Sequence, residues 1–107
     1  MFFNYKEKEE KAEILTKYLE RKVERYKMQD KKADRDIDHK NYITVGWLRK
    51  AFGSCCGSCG DSFVYKFEDD KVVSNLTAQR IDNDVAHKLD SIIPFCKFCN
   101  WALSNKE

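Results

Sequence analysis

Two Cys-x-x-Cys pairs constrain this chain more than any other feature. The first pair is Cys56 and Cys59, and the second, Cys96 and Cys99, begins 37 positions after the first pair ends (96 − 59 = 37). Each pair brings two sulfurs to one side of a tight turn, and two such turns supply four thiolates around one zinc ion. Glycines within and directly after the first pair give the backbone the freedom that such a turn needs. Because four thiolates leave no open position for water, the predicted zinc site is structural and not catalytic.

Other uses of the cysteines stay open at this point. Disulfides would call for an export signal, and the opening Met-Phe-Phe-Asn-Tyr-Lys-Glu-Lys has no apolar stretch behind basic residues. A thioredoxin-like redox site would have one pair in a βαβ context. Iron also accepts four thiolates, although a rigid site in a small domain favours zinc. The fifth cysteine, Cys55, is expected to be a free, partly buried thiol, with replacement of Cys56 in the ligand set as the alternative.

Size and composition narrow the class of protein. At 107 residues the chain has room for one small domain, whose modest core is often secured by a metal. No apolar stretch is long enough to span a membrane, and 13% aromatic residues argue against disorder. Residues 1–50 carry 14 basic and 10 acidic side chains, against 6 and 8 in residues 51–107. This mild asymmetry neither proves nor excludes a nucleic-acid partner. The cysteine usage predicts a reducing intracellular compartment, the nucleus or cytoplasm.

Residues 6–32 are predicted to form one long amphipathic helix. Its apolar positions recur at steps of three and four residues without Gly or Pro: Leu15, Tyr18, Leu19, Val23 and Tyr26. A basic stripe of Lys17, Arg21 and Arg25 lies beside them, which is more typical of a solvated face than of phosphate contacts. Since the apolar stripe has no assigned partner, a homodimer through this helix is one possibility. We expect a first unit of residues 1–42, helix and polar linker, and a zinc-binding unit of residues 43–107.

The second unit is predicted to contain short helices and strands, which makes the chain an α+β protein. Thr44 is the expected N-cap of a short helix that ends at Phe52. Apolar and polar alternation and turn residues mark the following elements. They are a strand at 62–67, a turn at 68–71, a return strand from 72, a strand at 76–81, a polar loop at 82–91, a short strand at 92–93 closed by Pro94, and a helix at 97–104.

The order of knuckle, β-hairpin, loop, apolar strand and second knuckle opening a helix is that of a treble clef. Between the knuckles lie Asn-Leu-Thr-Ala-Gln-Arg-Ile-Asp-Asn at 75–83, then His87, then Ser-Ile-Ile-Pro-Phe-Cys-Lys-Phe-Cys-Asn at 91–100. Residues 43–106 thereby resemble the zinc-bound HNH endonucleases of the His-Me finger group. They are most similar to a diverged branch with an Arg-Ile-Asp-Asn…His…Cys-x-x-Cys-Asn signature, found among mobile elements and large DNA viruses. The long first helix lies outside the resemblance.

The resemblance implies a ββα-metal finger that hydrolyses DNA phosphodiester bonds with Mg²⁺ or Mn²⁺. In the family a His is the general base, and a metal polarises the scissile phosphate. By position, the Asp-His pair of the family motif falls on Gln79-Arg80, the loop Asn on Ser91, and the helix His or Asn on Asn100. The first two are departures from the family pattern. Arg80 cannot act as a base because its guanidinium stays protonated, but it can clamp a phosphate.

The remaining candidates lie in the loop. His87 is the nearby imidazole available as base, and its alternative is an exposed loop histidine. Asp82 and Asn83 are candidate ligands of the catalytic cation through their oxygen atoms. Arg80 has an alternative as well, an ion pair with Asp82 or Asp84. No role is assigned to His39.

Two other functions compete with the nuclease. One is a degenerate zinc module that binds nucleic acid or a protein partner through the basic stripe and the face around Arg80. The other is an oxidoreductase that uses the thiols. Convergence of His87, Asp82 and Asn100 beside Arg80 would favour the nuclease, whereas a His87 that points into solvent would favour the binding module.

Overall fold

The computed structural model describes residues 5–69 and 71–104, and the side chains of 8–69 and 71–103. Within these residues the chain forms three α-helices and two separate two-stranded antiparallel sheets. In chain order they are α1 (Tyr5–Lys32), α2 (Val45–Ala51), β1 (Tyr65–Glu68), β2 (Lys71–Ser74), β3 (Leu76–Arg80), β4 (Ile92–Cys96) and α3 (Lys97–Ser104). The sheets are β1–β2 and β3–β4. The predicted α+β class with a long N-terminal helix is confirmed.

The end of α1 is a tight left-handed turn that folds the chain back on the helix. Asp34 has φ +58°, a conformation that Asp tolerates better than most residues. Its N–H donates to the carbonyl of Lys31 at 3.1 Å, and the N–H of Arg35 donates to the carbonyl of Asp30 at 2.8 Å. This pair of bonds is a Schellman motif, which satisfies carbonyls that the helix leaves free. It brings Arg35 back beside Asp30, and α1 ends at Lys32, the residue where the sequence predicted the helix to end.

The apolar stripe of α1 is used within the chain's own core. Leu19, Val23 and Tyr26 are buried, and Leu15 and Tyr18 pack partly buried against the same cluster. Burial of one such side chain contributes about 1.5–3 kcal/mol relative to exposure. The core partners from the rest of the chain include Ile43, Leu48, Leu76, Ala86 and Ile92. The helix that lies outside the resemblance is therefore part of one hydrophobic core, while a dimer through it stays a prediction.

The strand β4 continues through Pro94, which the sequence predicted to close it. Pro94 pairs with Ala78 of β3, and since Pro has no N–H, the two form a pair without mutual hydrogen bonds. The carbonyl of Pro94 points instead to the outer edge, where it accepts from the N–H of Gly57 at 2.8 Å. Two residues on, the N–H of Cys96 faces the same edge and donates to the sulfur of Cys56 at 3.2 Å. The outer edge of β4 thus meets the first cysteine knuckle.

The remaining elements follow the prediction with shifted ends. Thr44 is the N-cap of α2, and its hydroxyl accepts from the N–H of Trp47 at 3.1 Å. The first hairpin strand begins at Tyr65 and not at residue 62, because the N–H of Val64 is taken by the side chain of Asn75 at 2.9 Å. No helix in the described parts of the chain has the length and apolar character that a bilayer crossing requires.

Candidate metal centre and the adjacent cavity

The four cysteines of the two Cys-x-x-Cys pairs gather at one point. Their Sγ atoms all lie within 4.8 Å of one another, and those of Cys59 and Cys96 are 3.9 Å apart. A tetrahedral zinc site with Zn–S of about 2.3 Å has sulfur–sulfur edges of about 3.8 Å. The four are positioned to bind a metal ion such as zinc: Cys56, Cys59, Cys96 and Cys99. Cys55 lies outside the cluster, as predicted, but its side chain is exposed, so the prediction that it is partly buried is wrong.

Backbone hydrogen bonds shape both knuckles. In the first, the N–H of Cys56 donates to the carbonyl of Asp61 at 2.8 Å, and the N–H of Gly60 donates to the carbonyl of Cys56 at 3.0 Å. Gly60 has φ +79°, where a side chain would be strained, so this turn requires glycine. In the second, the N–H of Cys99 donates to the sulfur of Cys96 at 3.4 Å. Since Cys96 ends β4, the sheet and α3 hold this knuckle in place.

Two thiols of the first knuckle have pKa values shifted in opposite directions. Burial favours the neutral thiol of Cys56, yet N–H groups of Cys59 and Cys96 outweigh it and lower its pKa to about 6. The N–H of Asp61 acts in the same direction on Cys59, but burial and hydrogen bonds from the neighbouring thiols raise the pKa of that thiol to about 12. A bound metal cation would remove this difference between the thiols, because metal coordination requires all four of them as thiolates.

A cavity of about 400 Å³ lies between α1, β3, the loop after it and α3. Four of the five residues predicted for the catalytic and cation-binding roles line it: Arg80, Asn83, His87 and Asn100. Lys22 and Arg25 contribute two further cations from α1. The structure therefore brings most of the predicted site residues together, and it adds the long helix as one wall.

Asp82, the predicted carboxylate ligand of a cation, lies apart from them. Its side chain is exposed, and its Oδ1 accepts the N–H of Asp84 at 2.9 Å. It does not line the cavity. Asp82 therefore does not join His87 and Asn100 in this cavity.

The side chain of Arg80 donates hydrogen bonds to backbone carbonyls of the loop after β3. Its Nη1 donates to the carbonyl of Asn83 at 2.6 Å and, at 3.4 Å, to that of Val85. It forms no ion pair with Asp82 or Asp84, the alternative that the sequence left open. A guanidinium has five N–H donors, so these bonds leave others for a phosphate.

His87 is buried, which makes the alternative of an exposed loop histidine wrong. It is 3% exposed, and its ring packs on that of Tyr26 with centroids 4.3 Å apart. Its Nδ1 lies 2.9 Å from Oδ2 of Asp30, and its backbone N–H donates to the same oxygen at 3.0 Å. Asp30 thus holds His87 at both its ring and its backbone.

Asp30 is the functional candidate that the sequence analysis missed. It is 0% exposed, and besides His87 it accepts hydrogen bonds from the hydroxyl of Tyr42 and, at 3.0 Å, from Arg35. Burial opposes its ionisation, yet the hydrogen bonds from Tyr42 and His87 hold its pKa below the usual range. Burial also lowers the pKa of His87 against the attraction of Asp30. Near neutral pH the pair is therefore a carboxylate and a neutral imidazole.

The basic stripe of α1 runs into this cavity. Arg25 lines it together with Lys22, and both also line a neighbouring cleft with Lys17 and Arg21. Burial, followed by repulsion from Lys97 and Arg25, lowers the pKa of Lys22 to about 8. Cations this close to one another favour an anion between them.

No protein-family model matches this chain, and no curated protein or solved structure is significantly similar to it. The cysteine cluster and the adjacent cavity are the two features that bear on function.

Proposed function

We propose that this chain is an HNH-like endonuclease domain of the treble-clef type, held together by a structural zinc ion, which binds and hydrolyses DNA phosphodiesters. One observation carries the proposal: Arg80, Asn83, His87 and Asn100, selected from the sequence, line one cavity beside the cysteine cluster. The order of knuckle, paired strands β3–β4 and helix α3 agrees with a ββα-metal finger.

The cavity is suited to a backbone phosphate. Lys22, Arg25 and Arg80 place three cationic side chains along its wall, and the amide of Asn100 lies nearby. Among the described residues no Asp or Glu lines it. Arginine forks and lysine ammonium groups are the side chains that most often contact nucleic-acid phosphates. Neutralising the phosphate also makes phosphorus easier for a nucleophile to attack.

His87 is the proposed general base. As a neutral imidazole it takes a proton from a water molecule, whose oxygen forms a bond to phosphorus while the bond to the leaving sugar oxygen breaks. Solvent then protonates the leaving oxygen. Arg80 and Lys22 balance the negative charge that grows on the phosphate oxygens in the transition state.

A catalytic Mg²⁺ or Mn²⁺ does not fit the donor set inside the cavity. Such ions are held by one or two carboxylates with waters and substrate phosphates. The cavity offers neutral amide oxygens from Asn83 and Asn100, and Asp82 lies outside it. No step of the proposed chemistry therefore passes through such a cation. The proposed role of the zinc ion is structural, because it fixes β4 and α3 against the first knuckle.

Conversion of supercoiled plasmid to the nicked form tests the proposal. The zinc-loaded protein is incubated with Mg²⁺, with Mn²⁺ and without an added divalent cation. We expect nicking by the wild type and a loss of at least about 100-fold in His87→Gln, because a missing general base costs about that much. His39→Gln is the matched control, since His39 is exposed and lies outside the cavity. Zinc content and circular dichroism verify that each variant is folded.

Binding without cleavage is the second candidate, favoured by the absence of a carboxylate among the cavity's described residues. In that case the plasmid stays intact under all three conditions, while DNA still binds with an affinity that falls steeply with salt. Nicking that persists in His87→Gln would contradict the nuclease as proposed. Intact plasmid and no binding would contradict both candidates and leave a protein partner.

A further inference from the structure

The helix α1 contributes a buried carboxylate to the proposed base from outside the region of resemblance. Asp30 and His87 are 57 positions apart in the chain, yet one oxygen of Asp30 contacts both the Nδ1 and the N–H of His87. Arg35 and the hydroxyl of Tyr42 occupy further acceptor positions of the same carboxylate. A carboxylate with this many donors stays an anion.

The geometry also determines which imidazole nitrogen is left for chemistry. Nδ1 of His87 is committed to Asp30, whereas Nε2 has no hydrogen-bond partner among the described residues. Among the described residues, every fully buried side-chain nitrogen or oxygen has a hydrogen-bond partner. Because Nε2 of His87 has none, it is not fully buried. Because His87 lines the cavity, Nε2 is the nitrogen accessible from it.

We propose that Asp30 is a positioning residue, which holds the proton of neutral His87 on Nδ1 and leaves Nε2 as the basic atom facing the cavity. The inference rests on the proposed role of His87 as general base. An imidazole can accept a proton only at its unprotonated nitrogen, and an anion beside one nitrogen selects the tautomer with the proton there. Asp30 thereby also stabilises the imidazolium that forms when His87 takes the proton.

Several charged or titratable groups contact this imidazole or act on it. Asp30 and Tyr26 contact it, Arg35 and Arg80 act on it through their charges, and Tyr42 donates to Asp30. Among them Asp30 is the anion, and Arg35 and Arg80 disfavour the imidazolium. Removal of Asp30 therefore leaves His87 with the repulsion of two cations and without its anion, which both weakens it as a base and frees its tautomer.

Nitrogen-15 NMR of the two histidines tests the inference directly. At pH 8 the zinc-loaded wild type is expected to show His87 as the Nδ1–H tautomer, while exposed His39 shows the Nε2–H form preferred in water and serves as internal reference. In Asp30→Asn the Nε2–H form of His87 is expected to rise. Asp36→Asn is the matched control, because it removes the same charge at an exposed position outside the cavity and leaves the contact of Asp30 with His87 intact.

Plasmid nicking supplies the second readout. Asp30→Asn is expected to lower the nicking rate by about tenfold or more with little change in DNA affinity, because a wrongly placed proton affects the reaction and not the phosphate contacts. Asp36→Asn is expected to retain both the tautomer and the rate. A wild-type His87 with the proton on Nε2, or an Asp30→Asn variant with unchanged tautomer and rate, would overturn the inference while the nuclease stands. Intact plasmid alongside an Nδ1–H tautomer would instead refute hydrolysis and leave the role of Asp30 in place. If Asp30→Asn does not fold, the wild-type spectrum alone decides.

Discussion

The phenolic oxygen of Tyr26 in α1 accepts a hydrogen bond at 3.1 Å from the backbone N–H of Ala78 in β3. Ala78 is paired with Pro94 in the β-sheet, so its N–H points away from β4 toward the outer edge of the strand. The hydroxyl of Tyr26 satisfies this group where no further strand is available. The long helix thus covers the edge of the sheet that carries part of the candidate site.

Removing that hydroxyl tests how firmly the helix is attached. Tyr26→Phe keeps the ring but leaves the buried N–H of Ala78 without a partner, which costs about 1–3 kcal/mol in the free energy of unfolding. Urea unfolding of the zinc-loaded protein measures the difference. Tyr65→Phe is the control, because Tyr65 is exposed, and it is expected to change little. Equal unfolding midpoints for Tyr26→Phe and the wild type would show that this hydrogen bond does not contribute to the stability of the fold.

The packing of α1 can be tested on the same helix. Leu19 is 0% exposed, so Leu19→Ala opens a cavity in the core and is expected to cost about 2–5 kcal/mol. Met28→Ala removes a side chain of similar size that is 69% exposed, and it is expected to change stability by less than about 0.5 kcal/mol. Thermal unfolding compares the two variants. Similar melting temperatures for both would mean that α1 does not share the core.

How much of this fold the sequence predicts depends on whether the signal is local. The period of α1, the cap at Thr44 and the start of α3 at residue 97 are local patterns, and the structure agrees with them. The continuation of β4 through Pro94 depends on which edge of the strand faces β3, and that is determined by pairing partners far along the chain. Pro is compatible with a strand wherever its missing N–H would point away from the neighbour.

The candidate site shows the same division. The cysteine spacing is a local signal, and it predicted the four thiols that the structure brings together. The partner of His87 lies 57 positions away, so no local pattern indicates it. One signal was present: Asp30 follows Val23 and Tyr26 at helical spacing, which places an acid on the apolar face of α1. A carboxylate at such a position is buried only with partners, and that expectation would have marked it as functional or structural.

Removal of single thiols tests the metal centre. Cys59→Ser and Cys99→Ser each take one sulfur from the cluster, and we expect both variants to lose the bound zinc and much of the folded structure, because the free energy of metal binding contributes to folding. Cys55→Ser is the matched control, since Cys55 lies next to the cluster and outside it. Mass spectrometry under native conditions gives the zinc content per chain. Retention of zinc by Cys59→Ser together with its loss from Cys55→Ser would reverse the ligand assignment.

The pH dependence of DNA binding tests the cationic wall. With a pKa lowered to about 8, Lys22 carries its charge below that pH and loses it above, so one phosphate contact weakens as the pH rises from 7 to 9. Loss of one contact is expected to reduce the affinity by about fivefold at physiological salt and to lower the salt dependence by about one ion. Lys22→Arg keeps its charge throughout and should bind DNA with a nearly flat profile over this range. Fluorescence anisotropy with a labelled duplex measures both proteins, with Lys40→Arg, outside the cavity, as the control. Parallel profiles for the wild type and Lys22→Arg would show that Lys22 does not contact the phosphate.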